Sequence, residues 1–111
     1  MSYVYLATPY SDPSLAVMEQ RFDAACRIAG ALMAQGEVVF SPIVHHHSIA
    51  TRCDLPRGWD YWWRADQAML LGADRVLVVK MPGWQESKGI AGEIAIAERM
   101  GIPVEYMDWP V

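Results

Sequence analysis

The segment Ser87-Lys88-Gly89-Ile90-Ala91-Gly92-Glu93 concentrates residue types that chemistry needs: a hydroxyl, an ammonium group, two glycines and a carboxylate. Ser87 suits the N-cap of a helix that runs to Met100, with Gly101 at its C′ position. The first amides of such a helix lack partners within it and attract an anion, to which Lys88 adds charge. With Ile90 as origin and about 100° per residue, Ile94 and Ala97 fall near one direction and Glu93 about 60° away. Glu93 therefore borders the buried face, whereas Glu98 is exposed. The same residues also fit a packing role, in which Gly89 and Gly92 only let the helix approach its sheet and Glu93 is a rim residue.

Other groups could join this carboxylate. Asp66 sits mid-helix beside apolar positions, where aspartate is a mediocre helix former. Paired with Glu93 it suits acid–base or covalent work at a sugar carbon; alone it fits a solvated face. Tyr5 closes the first strand and could hold a carboxylate at a pocket mouth, or simply be core. His45-His46-His47 suggests a metal, but adjacent histidines point to different sides, and no HExxH or spaced Cys/His set accompanies them. Contact with a polar ligand or a neighbouring subunit suits them better, and no metal is expected. Trp59, Tyr61, Trp62 and Trp63 form an aromatic cluster fit for core or dimer packing, or for stacking on a planar ligand. Arg57 and Arg64 could serve a phosphate or solvate the helix. There is no G-x-G-x-x-G, Walker or G-x-S-x-G motif, so dinucleotide, ATP and serine-hydrolase sites are unsupported and no cofactor is expected.

The elements that must position these groups follow from pattern. Tyr3–Ala7 is β-prone and uncharged, as in a doubly buried strand. Asp12 and Pro13 predict the start of a helix running to about Gln35, with Leu15, Met18, Phe22, Ala25, Ala29 and Leu32 as its apolar stripe. Glu37–Phe40 reads as a strand ended by Ser41-Pro42. Residues 43–57 are the least regular; a loop of that length in a small domain is usually functional or partly helical. Trp59–Leu71 reads as a helix with Trp59, Trp62, Trp63, Ala65 or Asp66, Met69 and Leu70 inward. Asp74–Lys80 is a third strand, and Ile102–Met107 a last, edge strand carrying Pro103. The expected architecture is α/β: a small open three-layer sandwich, flavodoxin- or Rossmann-like, with a parallel sheet of about four strands. Ligands of such sheets bind beyond the carboxyl ends of the strands, where the strand order reverses. Thr8–Asp12, Ser41–His47 and Pro82–Gly89 should therefore meet the helix bearing Asp66 at one pocket.

The totals set the boundaries. A chain of 111 residues is expected to form one domain, over 1–111, and its small core makes self-association reasonable. A formal charge of −4 argues against nucleic acid or a membrane surface as partner. Cys26 reads as a small core residue and Cys53 as part of a polar loop, without a disulfide framework. No signal peptide or membrane-length apolar run is seen, which makes a cytoplasmic location the expectation.

Tyr5-Leu6-Ala7-Thr8-Pro9, Asp66, Ala73-Asp74-Arg75-Val76, Ser87-x-Gly89-x-x-x-Glu93 and Gly101-Ile102-Pro103-Val104 together resemble the nucleoside 2-deoxyribosyltransferase superfamily. The Tyr5-Leu6-Ala7-x-Pro9-Tyr10-Ser11 opening and Leu55-Pro56-x-x-Trp59 are similar to a short bacterial and phage subgroup of it. The resemblance spans nearly the whole chain. It implies cleavage or transfer at the N-glycosidic bond of a nucleoside or nucleoside 5′-monophosphate. Glu93 would be the nucleophile, Tyr5 its assistant, and Asp66 the residue that orients the sugar and the departing base. Ser87, Thr8 and Ser11 would bind a 5′-phosphate, beside Lys88 and Gly89. It further implies no metal and a homodimer or larger homo-oligomer. Ile90 stands where the transferase motif commonly has threonine. The other class of function open to the same fold is a non-catalytic nucleotide-binding or regulatory module.

Overall fold

The computed structural model describes residues 2–110. Among them, β1 (Tyr3–Ala7), α1 (Leu15–Ala34), β2 (Val39–Phe40), α2 (Pro42–Cys53), α3 (Trp59–Leu70), β3 (Ala73–Val79), α4 (Lys88–Met100) and β4 (Val104–Met107) follow one another. The strands form one sheet in the order β2-β1-β3-β4, and every pairing is parallel. This is the flavodoxin-like order, and it reverses between β1 and β3. The two central strands carry the fully buried apolar runs Val4–Ala7 and Val76–Val79, and the two shortest are edges, which limits unpaired backbone at the rim.

Alternation along β1 sends side chains to two different cores. Val4 and Leu6 pack with Ile28, Ala29 and Leu32 of α1 and with Leu77 and Val79 of β3. Tyr5 and Ala7 point to the other face, with Val76, Val78, Leu70 of α3, and Ile90, Ile96 and Ala97 of α4. Tyr5 is thereby committed to the face that also carries Asp66 and Glu93. Helix α2 touches helices on both sides of it. It reaches α1 through His47, stacked on Phe22 at 4.2 Å, and α3 through His46, stacked on Trp62 at 4.0 Å.

Several sequence expectations change. Residues 43–57 are mostly helix, because Ser41 caps α2 through its hydroxyl, 3.2 Å from the Val44 amide, and Pro42 occupies the first turn. Cys53 accordingly lies at the end of α2 and not in a loop. The α1 N-cap is Ser14, not Asp12; Asp12 instead accepts from the Ser14 amide at 2.9 Å. The first residue of α1, Leu15, is 67% exposed and belongs to no core stripe. Trp63 is also exposed, with the Arg64 guanidinium over its ring, while Trp59 and Trp62 turn inward. The second strand is only Val39–Phe40.

Helices α3 and α4 approach closely because position 92 has no side chain. A Cβ built on Gly92 would stand 2.2 Å from the Trp59 ring. Alanine there must displace a rigid indole, and overpacking of this kind costs ~1–3 kcal/mol, against a helix-propensity gain of about 1. Gly30, in contrast, has nothing within 4 Å of its ideal Cβ. Gly92→Ala is expected to lower the urea midpoint and Gly30→Ala to raise it, at unchanged m-value in both. Equal midpoints for the two variants would show that the α3–α4 contact yields freely.

Candidate functional site

A cavity of about 650 Å³ opens at the carboxyl edge of the sheet, where the strand order reverses. The loop after β1 contributes Thr8, Tyr10 and Ser11, α2 contributes His46, and the segment 57–66 contributes Arg57, Trp59, Trp62 and Asp66. The start of α4 contributes Ser87, Lys88, Gly89 and, one turn deeper, Glu93. Arg21 of α1 ties the two flanking loops together. Its guanidinium donates to the Tyr10 and Ser11 carbonyls at 3.3 and 3.0 Å and to the Pro82 carbonyl at 3.3 Å.

Glu93 is 4% exposed at the cavity wall and accepts a hydrogen bond from the Tyr5 hydroxyl. Tyr5 itself is wholly buried and does not reach the cavity mouth, contrary to the sequence expectation. Its phenol stands behind Glu93 and holds the carboxylate from the core side. Desolvation by burial, followed by the Asp66 charge, raises the Glu93 carboxyl well above the usual carboxylate range, and the Tyr5 bond opposes that rise. Burial, then the charges of Glu93 and Asp66, push the Tyr5 phenol well above its ordinary value, so it remains a donor.

Asp66 is 5% exposed, and its Oδ1 lies 2.6 Å from Nε2 of His46. The triple histidine thus divides three ways. His45 is exposed, His46 faces the cavity and Asp66, and His47 turns to α1, 2.9 Å from Glu19 and bonded to the Tyr10 hydroxyl. Among the described residues no three His, Cys, Asp or Glu side chains are grouped to share a metal ion. His46 was missed as a site residue because its partner lies twenty positions away on another helix. The amphipathic register of α2 was the signal that could have found it.

The anion-binding features are local ones. Ser87 caps α4 by accepting from the Ile90 amide at 3.1 Å, which leaves its hydroxyl hydrogen to donate. Thr8 is 3% exposed, and its Oγ1 has no hydrogen-bond partner among the described residues, a costly condition for a buried hydroxyl. Lys88 is exposed at the rim. Ser11 is exposed as well, and its hydroxyl donates to the Arg57 carbonyl at 3.1 Å. Five carboxylates line the cavity (Asp12, Asp60, Asp66, Glu86 and Glu93) against Arg57 and Lys88. An anion must therefore rely on amides and hydroxyls close to it, because the overall field is not attractive.

The raised Glu93 carboxyl has a consequence for stability. The folded protein keeps a proton that the unfolded chain releases, so this contribution is complete below the unfolded value of about 4.5. It is lost as pH rises toward the folded value, at up to ~1.4 kcal/mol per pH unit. Glu93→Gln keeps the neutral shape without the titration. Its urea midpoint should match that of the wild type at pH 4 and exceed it at pH 8; a pH-independent difference would remove Glu93 from the linkage.

No helix among the described residues is long and apolar enough to cross a membrane. No curated protein matches the chain. A family model described as "Domain of unknown function (DUF1937)" matches residues 2–109, nearly the full length. The chain, with its four-stranded parallel sheet and carboxylate-lined cavity, belongs to that family.

Proposed function

We propose that this protein cleaves or transfers the N-glycosidic bond of a nucleoside or nucleoside 5′-monophosphate, with Glu93 as nucleophile. The observation that carries the reading is the Glu93 carboxylate, buried in the wall of the cavity and backed by the Tyr5 hydroxyl. A carboxylate so held attacks an anomeric carbon from a fixed position and leaves a glycosyl ester. Asp66 stands on the same wall, suited to the sugar hydroxyls and the departing base. The Trp59 and Trp62 indoles supply apolar surface for a planar base, and stacking of this kind is worth ~1–3 kcal/mol per base. The Thr8 and Ser87 hydroxyls and the first amides of α4 suit a phosphate. Water as acceptor gives hydrolysis, and a second base gives transfer. A homo-oligomer fits the exposed aromatic side of α3, where Tyr61 and Trp63 are only partly covered.

A second reading is favoured by one observation. Burial favours the neutral form of Glu93, a poor nucleophile, so the cavity also suits a binding or regulatory module that takes a nucleotide without turning it over. Base release from a panel of nucleosides and deoxynucleoside 5′-monophosphates, followed chromatographically, separates the two. Under the catalytic reading Glu93→Ala lowers release at least ~10³-fold. Calorimetric binding with no base released by the wild type selects the module.

Tyr5→Phe adds a signed test. The Tyr5 bond lowers the Glu93 carboxyl, and reaction needs the ionised form. The rising limb of kcat/KM against pH should move to higher pH in the variant. A limb that stays in place would mean that Glu93 ionisation does not set it.

A further inference from the structure

The His46 ring is held on both nitrogens and on one face. Nε2 is 2.6 Å from Asp66 Oδ1, and Nδ1 is 3.1 Å from Nδ1 of His45. The Trp62 indole lies nearly parallel to it, with the planes at 16°. Such a clamp fixes which way each nitrogen points. An ionised carboxylate only accepts, so the hydrogen between His46 and Asp66 then sits on Nε2; between the two Nδ1 atoms one must donate and the other accept. His45 is exposed, whereas His46 and Asp66 are buried at the cavity. An imidazole can accept a proton on one nitrogen while releasing one from the other. A continuous path therefore runs from solvent through His45 and His46 to Asp66.

We propose that His45, His46 and Asp66 form a proton relay that protonates the departing base, an inference resting on the glycosidic reading above. As the C1′–N bond breaks, its electron pair stays on the base nitrogen while a Glu93 oxygen forms the new bond to C1′. Asp66 Oδ1 takes the Nε2 proton of His46 and passes it to the base nitrogen, so Asp66 is a carboxylate before and after the step. His46 is refilled at Nδ1 from His45, and His45 at Nε2 from water. When water opens the glycosyl ester, its oxygen bonds to C1′ and the ester electron pair returns to Glu93. The released proton leaves by the same path reversed, so one water is consumed and no net proton. His46 and His45 act through Asp66 and are positioning and relay residues, without contact to the reacting carbon.

The test exploits leaving groups that differ in their need for a proton. A nucleobase needs one to depart, whereas 4-nitrophenolate does not. Base release from the four deoxynucleosides and their 5′-monophosphates would be compared with cleavage of 4-nitrophenyl 2-deoxyriboside and its 5-phosphate. His46→Gln should lower base release about 10²-fold and His45→Gln roughly tenfold, the latter restored by imidazole in the buffer. Loss on the nitrophenyl substrates should be at most a few-fold. His45 is exposed, so its variant tests the relay even where His46→Gln perturbs folding. Equal losses on both substrate types with no imidazole response, or no loss in either variant, would overturn the relay while leaving the glycosidic reading standing. A wild type that releases no base from any of the eight compounds would overturn both.

Discussion

Everything at the site depends on one buried contact, the Tyr5 hydroxyl donating to the Glu93 carboxylate. It joins the central strand to α4 across the inner face of the sheet. A carboxylate buried without a donor would be costly, so the contact restricts where α4 can sit relative to β1. It also sets the electrostatics. Burial and Asp66 favour the neutral acid, and Tyr5 favours the anion. The charge state of Glu93 is set by the balance between these effects, and Tyr5, which bonds it, has a second duty in the core.

Legibility of the sequence followed the range of the interactions. The strands and α4 were readable because their signals are local: uncharged β-prone runs, Ser87 as cap and Gly101 as stop, where φ is 74°. Glu93 and Asp66 were readable as neighbours of apolar positions on predicted helices. Helix α2 is legible only as a partly helical segment, because Ser41-Pro42 also reads as the end of a strand. The same pair is an N-cap followed by a first-turn proline, which is the signal wrongly credited to Asp12-Pro13. Without the bounds of α2, the pattern does not fix the direction in which His46 faces. The depth of Tyr5 was misjudged for a related reason: alternation gives the face of a strand residue but not the thickness of the layer above it.

The aromatic segment shows how far a composition signal reaches. Trp59, Tyr61, Trp62 and Trp63 lie within one helix and take different surroundings. Trp59 fills the gap left by Gly92, Trp62 stacks on His46 and donates its indole hydrogen to the Pro56 carbonyl at 2.7 Å, and Trp63 and Tyr61 are exposed. Clustering in sequence does not mean clustering in space, because a helix distributes neighbours around its axis.

The Gly92–Trp59 contact bears on how this cavity could change over evolutionary time. The separation of α3 from α4 is set by an indole meeting bare backbone, and that indole is also part of the cavity wall. Any enlargement of residue 92 must be met by a smaller residue 59, and a smaller residue 59 alters the surface offered to a ligand. The two positions are expected to covary inversely in side-chain volume. Ligand preference in this fold would then drift through paired substitutions at an inter-helix contact, with the carboxylates left in place.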